Sequence, residues 1–443
     1  MKTIFASLLV AIALLSLAGC GEEAGVGPEQ QQVTSPAAEP DLAEQEEVAQ
    51  SEKPRATPPA AAEADLADLV AGNSAFAFDL YQAVRTGQGN LFYSPYSISQ
   101  ALAMTYAGAR GETKRQMADT LAFTLPDDRL HPAFNALDLE LARRAEGGRG
   151  REGHEFRLNI VNAIWGQEGY AFLPEFLDVL AQNYGAGLRF LDFANASEES
   201  RLAINDWVSD QTEGKIQDLM PQGLVNELTR LVLTNAIYFN APWAFPFKPQ
   251  LTEEGSFHLL DGGEVTVPMM KQSMKFRYAE GEGYQAVELP YGLSGLSMVI
   301  LLPQAGQFET FEGSLDADRV DAIVKDLEEW GVTLAMPKFE FKSGFNLAQT
   351  LAAMGMPDAF SESADFSGMI GRRELFLSAV VHKAFVSVDE SGTEAAAATG
   401  VAVPASAPSG RVELAVDRPF VFLIRDRETG AILFVGRVVN PTA

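Results

Sequence analysis

The sequence is short of the residues on which disulfide, metal and redox chemistry depend. It contains one cysteine, Cys20, and four histidines among 443 residues. A single cysteine excludes a disulfide within one molecule and leaves no cysteine pair for a metal or redox centre. The chain also lacks an HExxH metal motif, a GxSxG nucleophile elbow and a phosphate-binding glycine loop. We therefore expect no cofactor, no metal site and no enzymatic activity.

Basic residues are scarce as well. The 33 lysines and arginines stand against 60 aspartates and glutamates, which gives a formal net charge of −27. This imbalance argues against nucleic acid and anionic membrane surfaces as direct partners. Hydrophobic residues make up 47% of the chain, which is enough to bury a large core.

Residues 21–65 contain no aromatic residue. They include eleven acidic residues and only two basic ones, Lys53 and Arg55. Such a segment cannot bury enough apolar surface to offset its loss of conformational entropy. We therefore predict that residues 20–65 form a disordered acidic tether, rich in proline, alanine, glutamine and glutamate.

Residues 1–19 predict a lipoprotein signal peptide. Lys2 supplies the positive start, and the apolar run that follows is too short to span a bilayer comfortably. Leu17-Ala18-Gly19-Cys20 resembles a bacterial lipobox, the alternative being a plain secretory signal with an incidental cysteine. We expect export across the inner membrane and lipidation of Cys20, with several acyl chains anchoring the protein at the cell envelope. Gly21 favours the outer membrane in a two-membrane cell.

The remaining residues, 66–443, predict a single α+β domain with a large, mainly antiparallel sheet and several helices. Helical patterns dominate the first part and strand patterns the later part. The helical segments are 66–84, the stretch opened by Ser94 and Pro95, 198–212 and 316–330; the strand-like segments are 90–93, 158–166, 233–240, 284–291, 296–303 and 332–341.

Residues 385–408 combine an alternating strand pattern, a glycine-containing interruption and a run of small side chains. Phe385 to Val388 alternate as a half-buried strand does, and Gly392 then offers a pivot. From Thr393 to Val403 no residue is larger than valine except Glu394. Taken alone, this run is typical of a helix or flexible linker. In a strand, one face would carry Thr393, Ala395, Ala397, Thr399, Val401 and Val403.

These residues resemble the hinge of an inhibitory serpin. The matching positions are Glu390, Gly392, Thr393, Glu394, Ala395, Ala396, Ala397, Ala398 and Thr399. Segments 90–113, 205–216, 233–247, 336–341, 376–395 and 417–441 also resemble family signatures, in the expected order. The resemblance implies a serpin-like domain with an exposed reactive-centre loop at about 390–410 and a serine protease inhibitor that inserts its cut loop into the main sheet.

The resemblance also implies roles for two polar groups. Ser94, Ser97, Asn235 and His382 match the shutter, which lies at the centre of the sheet. Trp243, Lys338 and Glu390 match the breach, where the loop first enters the sheet. Without the resemblance, His382 would be a buried, hydrogen-bonded structural residue and Trp243 an ordinary core aromatic.

Family spacing and local sequence give the cleaved bond. We predict Ala405–Ser406, with Ser406–Ala407 as the alternative, because small side chains after proline suit elastase-like or subtilisin-like proteases. We expect a monomer that forms a covalent acyl complex with a serine protease, and with cysteine proteases as a second class. The alternative function is a non-inhibitory serpin that acts as a cell-surface binding or scaffolding protein.

Overall fold

Two β-sheets form the framework of the part of the chain that the computed structural model describes, residues 48–85, 89–147, 157–292, 294–393 and 411–443. These residues belong to one unit of the chain, Glu46–Ala443. The helices are α1 (Glu63–Val84), α2 (Pro95–Tyr106), α3 (Gly111–Thr120), α4 (Asp127–Gly147), α5 (Pro174–Tyr184), α6 (Ser197–Gln211), α7 (Phe308–Gly313), α8 (Ala317–Lys325), α9 (Ala348–Met354) and α10 (Ser367–Ile370), with 3-10 helices at Pro249–Leu251 and Pro357–Phe360.

The strands divide between the two sheets. They are β1 (Val48–Ala49), β2 (Leu91–Tyr93), β3 (Arg157–Gln167), β4 (Leu188–Leu191), β5 (Leu231–Pro242), β6 (Glu253–His258), β7 (Glu264–Gly281), β8 (Tyr284–Pro290), β9 (Leu296–Pro303), β10 (Glu328–Pro337), β11 (Phe339–Asn346), β12 (Leu377–Val388), β13 (Gly392–Thr393), β14 (Arg411–Ala415), β15 (Phe420–Asp426) and β16 (Ile432–Val438). The seven-stranded sheet has the order β1-β4-β3-β5-β13-β12-β11. The nine-stranded sheet has the order β14-β10-β7-β8-β9-β15-β16-β2, with β6 paired to β7.

The seven-stranded sheet has a boundary between β5 and β12 that we call the seam. The two strands pair in parallel from Leu231 and Leu377 to Tyr238 and Phe385. Beyond these pairs β13 lies between the two strands and is antiparallel to both. The seam is therefore closed along most of its length and open at one end, which we call its top.

Both faces of the seven-stranded sheet are covered. Leu231, Leu233 and Ile237 belong to the larger hydrophobic cluster, which extends to the nine-stranded sheet. Val232 and Ala236, which alternate with them on β5, belong to a second cluster with residues of α6. This is the two-sided burial that a strand with few polar residues predicts. Helix α2 lies against β3 and β5 and also contacts β16.

Helix α2 begins where the sequence predicts it. Ser94 caps the helix, because its Oγ accepts a hydrogen bond from the Ser97 backbone N–H at 3.1 Å. Pro95 occupies the first helical turn, where its missing N–H costs no hydrogen bond. All residues of α2 are buried, and the helix contacts β3 and β5 of the seven-stranded sheet.

Two predicted segments have different bounds in the structure. The strand predicted over 332–341 is two strands in different sheets: β10 pairs with β7 and β11 pairs with β12. Pro337 lies at the break and has no N–H to continue a ladder. The helix predicted over 316–330 ends at Lys325, and residues from Glu328 onward join β10. The predicted α+β class agrees with the structure, although the single large sheet is in fact accompanied by a second.

The predicted tether extends too far towards the domain. Val48 and Ala49 pair antiparallel with Arg189 and Leu188 at the edge of the seven-stranded sheet. Helix α1 then begins at Glu63, before the predicted domain start at residue 66. Residues 48–62 are held against the domain by backbone pairing and polar contacts. The composition of the segment, which is poor in apolar residues, gives no information on such contacts. The rest of the tether, residues 20–47, and the signal peptide lie outside the described residues.

Among the helices of the described ranges, none has the length and apolar character needed to cross a lipid bilayer.

Candidate functional site

The top of the seam contains the first residues of the predicted loop. Gly392 and Thr393 pair with Pro242 and Ala241 of β5, and Thr393 also pairs with Val388 of β12. Thr393 is fully buried. The predicted loop at about 390–410 is therefore not exposed at Glu390, Gly392 and Thr393, which are buried in or beside the sheet.

Gly392 makes this entry possible because it lacks a side chain. A Cβ atom at this position would lie 2.2 Å from the carbonyl oxygen of Ala241, far inside van der Waals contact. Asp389 completes the turn, since its Oδ1 accepts hydrogen bonds from the N–H groups of Ser391 (2.7 Å) and Gly392 (3.2 Å). Burial raises the pKa of Asp389 despite these bonds. An aspartate whose side chain accepts hydrogen bonds from the N–H groups two and three residues later is typical of a turn. The sequence prediction missed this signal.

Thr393 is held by a ring stack beneath it. Its hydroxyl shares a hydrogen bond of 2.7 Å with the hydroxyl of Tyr291, whose ring stacks on Trp243 at 4.6 Å between centroids. Burial raises the pKa of Tyr291, although the bond to Thr393 opposes the shift. The phenol is therefore neutral and available as a hydrogen-bond donor. Tyr291 is a second residue that the sequence prediction missed.

The predicted breach residues lie together around Glu390. Its Oε2 is 2.5 Å from Lys338 Nζ, and its Oε1 accepts a hydrogen bond of 2.6 Å from Thr252 Oγ1. Burial alone would raise the pKa of Glu390, but the bonds from Lys338 and Thr252 outweigh it and lower the pKa. Trp243 binds the same turn, because its Nε1 donates to the Asp389 carbonyl at 3.0 Å.

The predicted shutter residues also lie together, lower in the seam. The Ser94 N–H donates to His382 Nε2 at 3.3 Å, and His382 Nδ1 bonds to Asn235 Oδ1. Asn235 in turn donates through Nδ2 to Ser97 Oγ. Burial lowers the pKa of His382 to about 3, so the ring is neutral at physiological pH. The role of these residues in strand opening stays a prediction.

Asn162 is a further member of this group that the sequence prediction missed. It lies on β3, and its Oδ1 accepts hydrogen bonds from Asn235 Nδ2 and from Ser97 Oγ. Its Nδ2 donates to the Ser97 carbonyl at 3.2 Å. The available signal was an asparagine inside a strand pattern, where an amide needs partners from a neighbouring element.

The shutter does not have the geometry of a hydrolase site. His382 is fully buried, and its two ring nitrogens are occupied by a backbone N–H and an amide oxygen. A general base needs a free nitrogen within reach of a nucleophile and a substrate. The arrangement instead joins α2, β5 and β12 through buried hydrogen bonds.

The other predicted site residues lie outside the described residues. These are Glu394, Ala395, Ala396, Ala397, Ala398 and Thr399 of the hinge, Ala405, Ser406 and Ala407 at the predicted cleaved bonds, and Cys20.

Known proteins similar to this chain cover most of its length. A family model described as Serpin (serine protease inhibitor) matches residues 71–441. A serpin-like protein of Thermococcus kodakarensis is 43% identical over 371 residues, which cover 83% of this chain and 84% of that protein. The leukocyte elastase inhibitor of Sus scrofa is 41% identical over 385 residues, which cover 84% of this chain and 99% of that protein.

Solved structures show the same fold. Uncleaved ovalbumin matches with a TM-score of 0.74 and 28% identity, covering 84% of this chain and 100% of ovalbumin. The native state of the thermophilic serpin tengpin matches with a TM-score of 0.75 and 28% identity, covering 84% of this chain and 94% of tengpin.

Proposed function

The chain belongs to the serpin family, and from this premise we propose that it inhibits serine proteases as a suicide substrate, by inserting its cut loop into the seam. The observation that carries the proposal is β13. It already lies between β5 and β12 and is antiparallel to both. A loop that continued along this path would turn one parallel ladder into two antiparallel ladders, which are slightly more stable per residue.

The existing pairs define where each further residue would go. Thr393 pairs with Ala241 and Val388, so an unbroken register pairs Thr399 with Asn235 of β5 and with His382 of β12. Asn235 and His382 are themselves a directly paired couple across the closed seam. The Thr399 hydroxyl would thus enter between the two side chains that bond across the shutter.

The same register agrees with the small size of the loop residues. It carries Val403 to Leu231, the first residue of β5, so the run of small side chains matches the length of the strand. Thr393, Ala395 and the residues alternating with them would face the larger core. Glu394, the one charged residue of the run, would face the opposite side beside Asn240.

The inserted strand would add on the order of ten ladder hydrogen bonds, each contributing about 0.5–1.5 kcal/mol net. The form with an intact loop is therefore metastable and persists because of a kinetic barrier. Part of the barrier is covalent, since the loop continues into β14, which pairs with β10 of the other sheet. An intact loop must peel β14 away before it can insert fully, whereas a cut loop is free of this restraint.

Cleavage would then couple insertion to trapping. The protease forms an acyl-enzyme at the cut residue, and insertion moves that residue along the whole length of the seam. Both predicted bonds, Ala405–Ser406 and Ser406–Ala407, lie just beyond Val403. The protease would therefore be drawn to the far end of β5 and distorted before water completes the reaction.

The target class follows from the residues at the bond. Ala405 and Ser406 follow Pro404 and suit the shallow pockets of elastase-like and subtilisin-like enzymes. The relatives named leukocyte elastase inhibitor support the same class. Trypsin-like enzymes are disfavoured because Arg411, which opens β14, is paired with Gly331 in the nine-stranded sheet.

A protease panel tests the proposal. We expect a complex with elastase or subtilisin that resists SDS, and release of a C-terminal peptide whose mass identifies the cleaved bond. Nicking the loop with a protease that is not trapped should raise the melting temperature strongly. Cleavage without a complex and without a rise in melting temperature would favour a non-inhibitory binding protein, the alternative function.

We further propose that the protein is exported and held at the cell envelope by lipid on Cys20, as the lipobox-like segment suggests. Cys20→Ser should leave the membrane fraction or persist as an uncleaved precursor. Unchanged processing and fractionation would contradict the anchor without affecting the inhibitory proposal.

A further inference from the structure

Residues 48–62, which we call the N-terminal strap, contact α4 through Arg55, whose side chain is 26% exposed. Its Nε donates to Asn135 Oδ1 at 2.7 Å, and its Nη2 donates to Asp138 Oδ2 at 2.6 Å. Both partners lie on α4. Asn135 returns a hydrogen bond of 2.8 Å to the carbonyl of Ala56. Arg55 is thus fixed at both its side chain and the neighbouring backbone.

Asp138 connects Arg55 to α2. Its second oxygen, Oδ1, accepts a hydrogen bond of 3.2 Å from Gln100 Nε2. Gln100 is buried, and its Oε1 accepts a hydrogen bond of 2.9 Å from Asn162 Nδ2. Asn162 then bonds to Asn235, which bonds to His382. A continuous chain of side-chain hydrogen bonds therefore runs from the strap to the shutter.

The groups at the two ends of this chain determine which atom donates and which atom accepts in every hydrogen bond between them. Backbone N–H of Ser94 can only donate, so His382 Nε2 must accept and Nδ1 must carry the proton. At the other end the carboxylate of Asp138 can only accept, so Gln100 must present its amide nitrogen. The amides of Asn162 and Asn235 between these ends then have one orientation that satisfies all their partners.

We propose that Arg55 is a positioning residue for the shutter, which acts through Asp138, Gln100 and Asn162 to keep Asn235 bonded to His382 and the seam closed until the loop is cut. The inference rests on the proposed inhibitory function and adds to it a control on premature insertion. Opening the seam must break the bond between Asn235 and His382, because these residues lie on the two strands that separate.

The charge of Arg55 makes this chain hard to rearrange. A hydrogen bond to a charged group contributes more than one between neutral groups. The 2.6 Å bond from Arg55 is therefore the strongest support of Asp138, which holds Gln100 in one orientation together with the Tyr96 hydroxyl. If Gln100 turned over, its amide nitrogen would face the Asn162 Nδ2 donor, which would then keep only the Ser97 carbonyl as an acceptor. Without Arg55, Asp138 keeps only the hydrogen bonds from Gln100 and from the Tyr96 hydroxyl. The carboxylate can then turn towards solvent more easily, and the amides below it can reorient and release His382.

The first test measures premature insertion in the uncut, full-length protein. Arg55→Ala and Gln100→Leu break the chain at its end and in its middle, while Lys53→Ala removes a strap contact outside it, the ion pair with Asp178. We expect the first two variants to convert to a heat-resistant, inactive form about tenfold faster than wild type, the ratio that corresponds to one such bond. Lys53→Ala should convert at the wild-type rate. Equal acceleration by Lys53→Ala, or none by Arg55→Ala, would overturn the proposal.

The second test reads the tautomer of His382 directly by NMR of protein labelled with ¹⁵N-histidine, with His382→Asn to assign the signal. Wild type and Lys53→Ala should show the proton on Nδ1, and Arg55→Ala and Gln100→Leu should show a mixture of tautomers. An unchanged signal in both variants would overturn the chain. The NMR signal does not depend on loop insertion, so it tests the chain of hydrogen bonds separately from the inhibitory function. Failure of the inhibitory function would instead be seen as a nicked wild-type protein that gains no heat resistance.

Discussion

The top and the middle of the seam are fastened in different ways. At the top, Thr393 has entered the sheet, and the contacts around it are a ring stack, one ion pair and a shared hydroxyl bond. In the middle, β5 and β12 remain paired, and Asn235 and His382 join them through a fully buried polar network. The two strands are therefore separated only where β13 lies between them, and they stay paired where the buried network of Asn235 and His382 joins them.

Thr393→Arg should have the largest effect, because among the described residues Thr393 supplies the side chain that lies between β5 and β12. Burying an unpaired charge costs several kcal/mol, so the loop should leave the sheet and re-enter slowly. We expect the number of inhibitor molecules cleaved per protease trapped to rise at least tenfold. Thr393→Ser, which retains the hydroxyl for Tyr291, is the matched control. An unchanged ratio for the arginine variant would show that entry at the top is not required.

Acid should loosen the middle of the seam before the top. Burial lowers the pKa of His382 to about 3, and it lowers the pKa of His131, a histidine of α4 outside the seam that bonds to Tyr184, to about 4. Between pH 6.5 and these values the unfolded chain binds protons that the folded chain does not, so the free energy of unfolding falls as pH falls. At pH 5 the loss is about 2 kcal/mol for each histidine. At the top, the pKa of Glu390 is lowered, so its contribution is lost only as pH falls below the usual glutamate value, while the raised pKa of Asp389 changes stability in the opposite direction.

Urea unfolding at pH 7 and pH 5 measures this effect. His382→Asn should remove about half of the loss. Equal pH dependence in wild type and His382→Asn would mean that the shutter histidine does not titrate between the folded and unfolded states.

The sequence predicted which residues belong to these two regions better than it predicted how the strands are arranged there. Shutter and breach residues could be matched by resemblance because they fall within recognisable segments. Partial entry of Thr393 could not be predicted, since it depends on how far β5 and β12 separate above Phe385. Asn162 was missed because an amide in a strand pattern gives no indication of which helix lies beneath it.

The limits of the N-terminal prediction have a similar cause. Composition predicted disorder to residue 65, yet Arg55 and the pairing of Val48 and Ala49 hold the last part of that segment. A few polar contacts with partners distant in sequence are enough, and composition averages them away. The break at Pro337 was missed for a related reason, because a strand pattern does not specify which sheet a strand joins.

Thr399→Ala tests the proposed register in the form of the protein whose cut loop has inserted. The hydroxyl is expected to replace the bond between Asn235 and His382, and its loss leaves a buried polar group without a partner, at a cost of about 1.5 kcal/mol. The melting temperature of the nicked protein should fall by a few degrees relative to nicked wild type. The uncut protein should melt as wild type does, and an equal fall in both forms would contradict the proposed register.

Lys338→Ala should have the smallest effect, because it acts at the open end of the seam. Lys338 is more than one-third exposed, while Glu390 is 10% exposed and keeps its bond from Thr252. Solvent screening therefore limits the loss to about 1 kcal/mol. We expect the turn at Asp389 to loosen and protease trapping to slow less than tenfold, with Lys271→Ala, which breaks a surface pair with Glu253, as the control. An effect as large as that of Thr393→Arg would mean that the ion pair, and not the entering side chain, determines how the top of the seam opens.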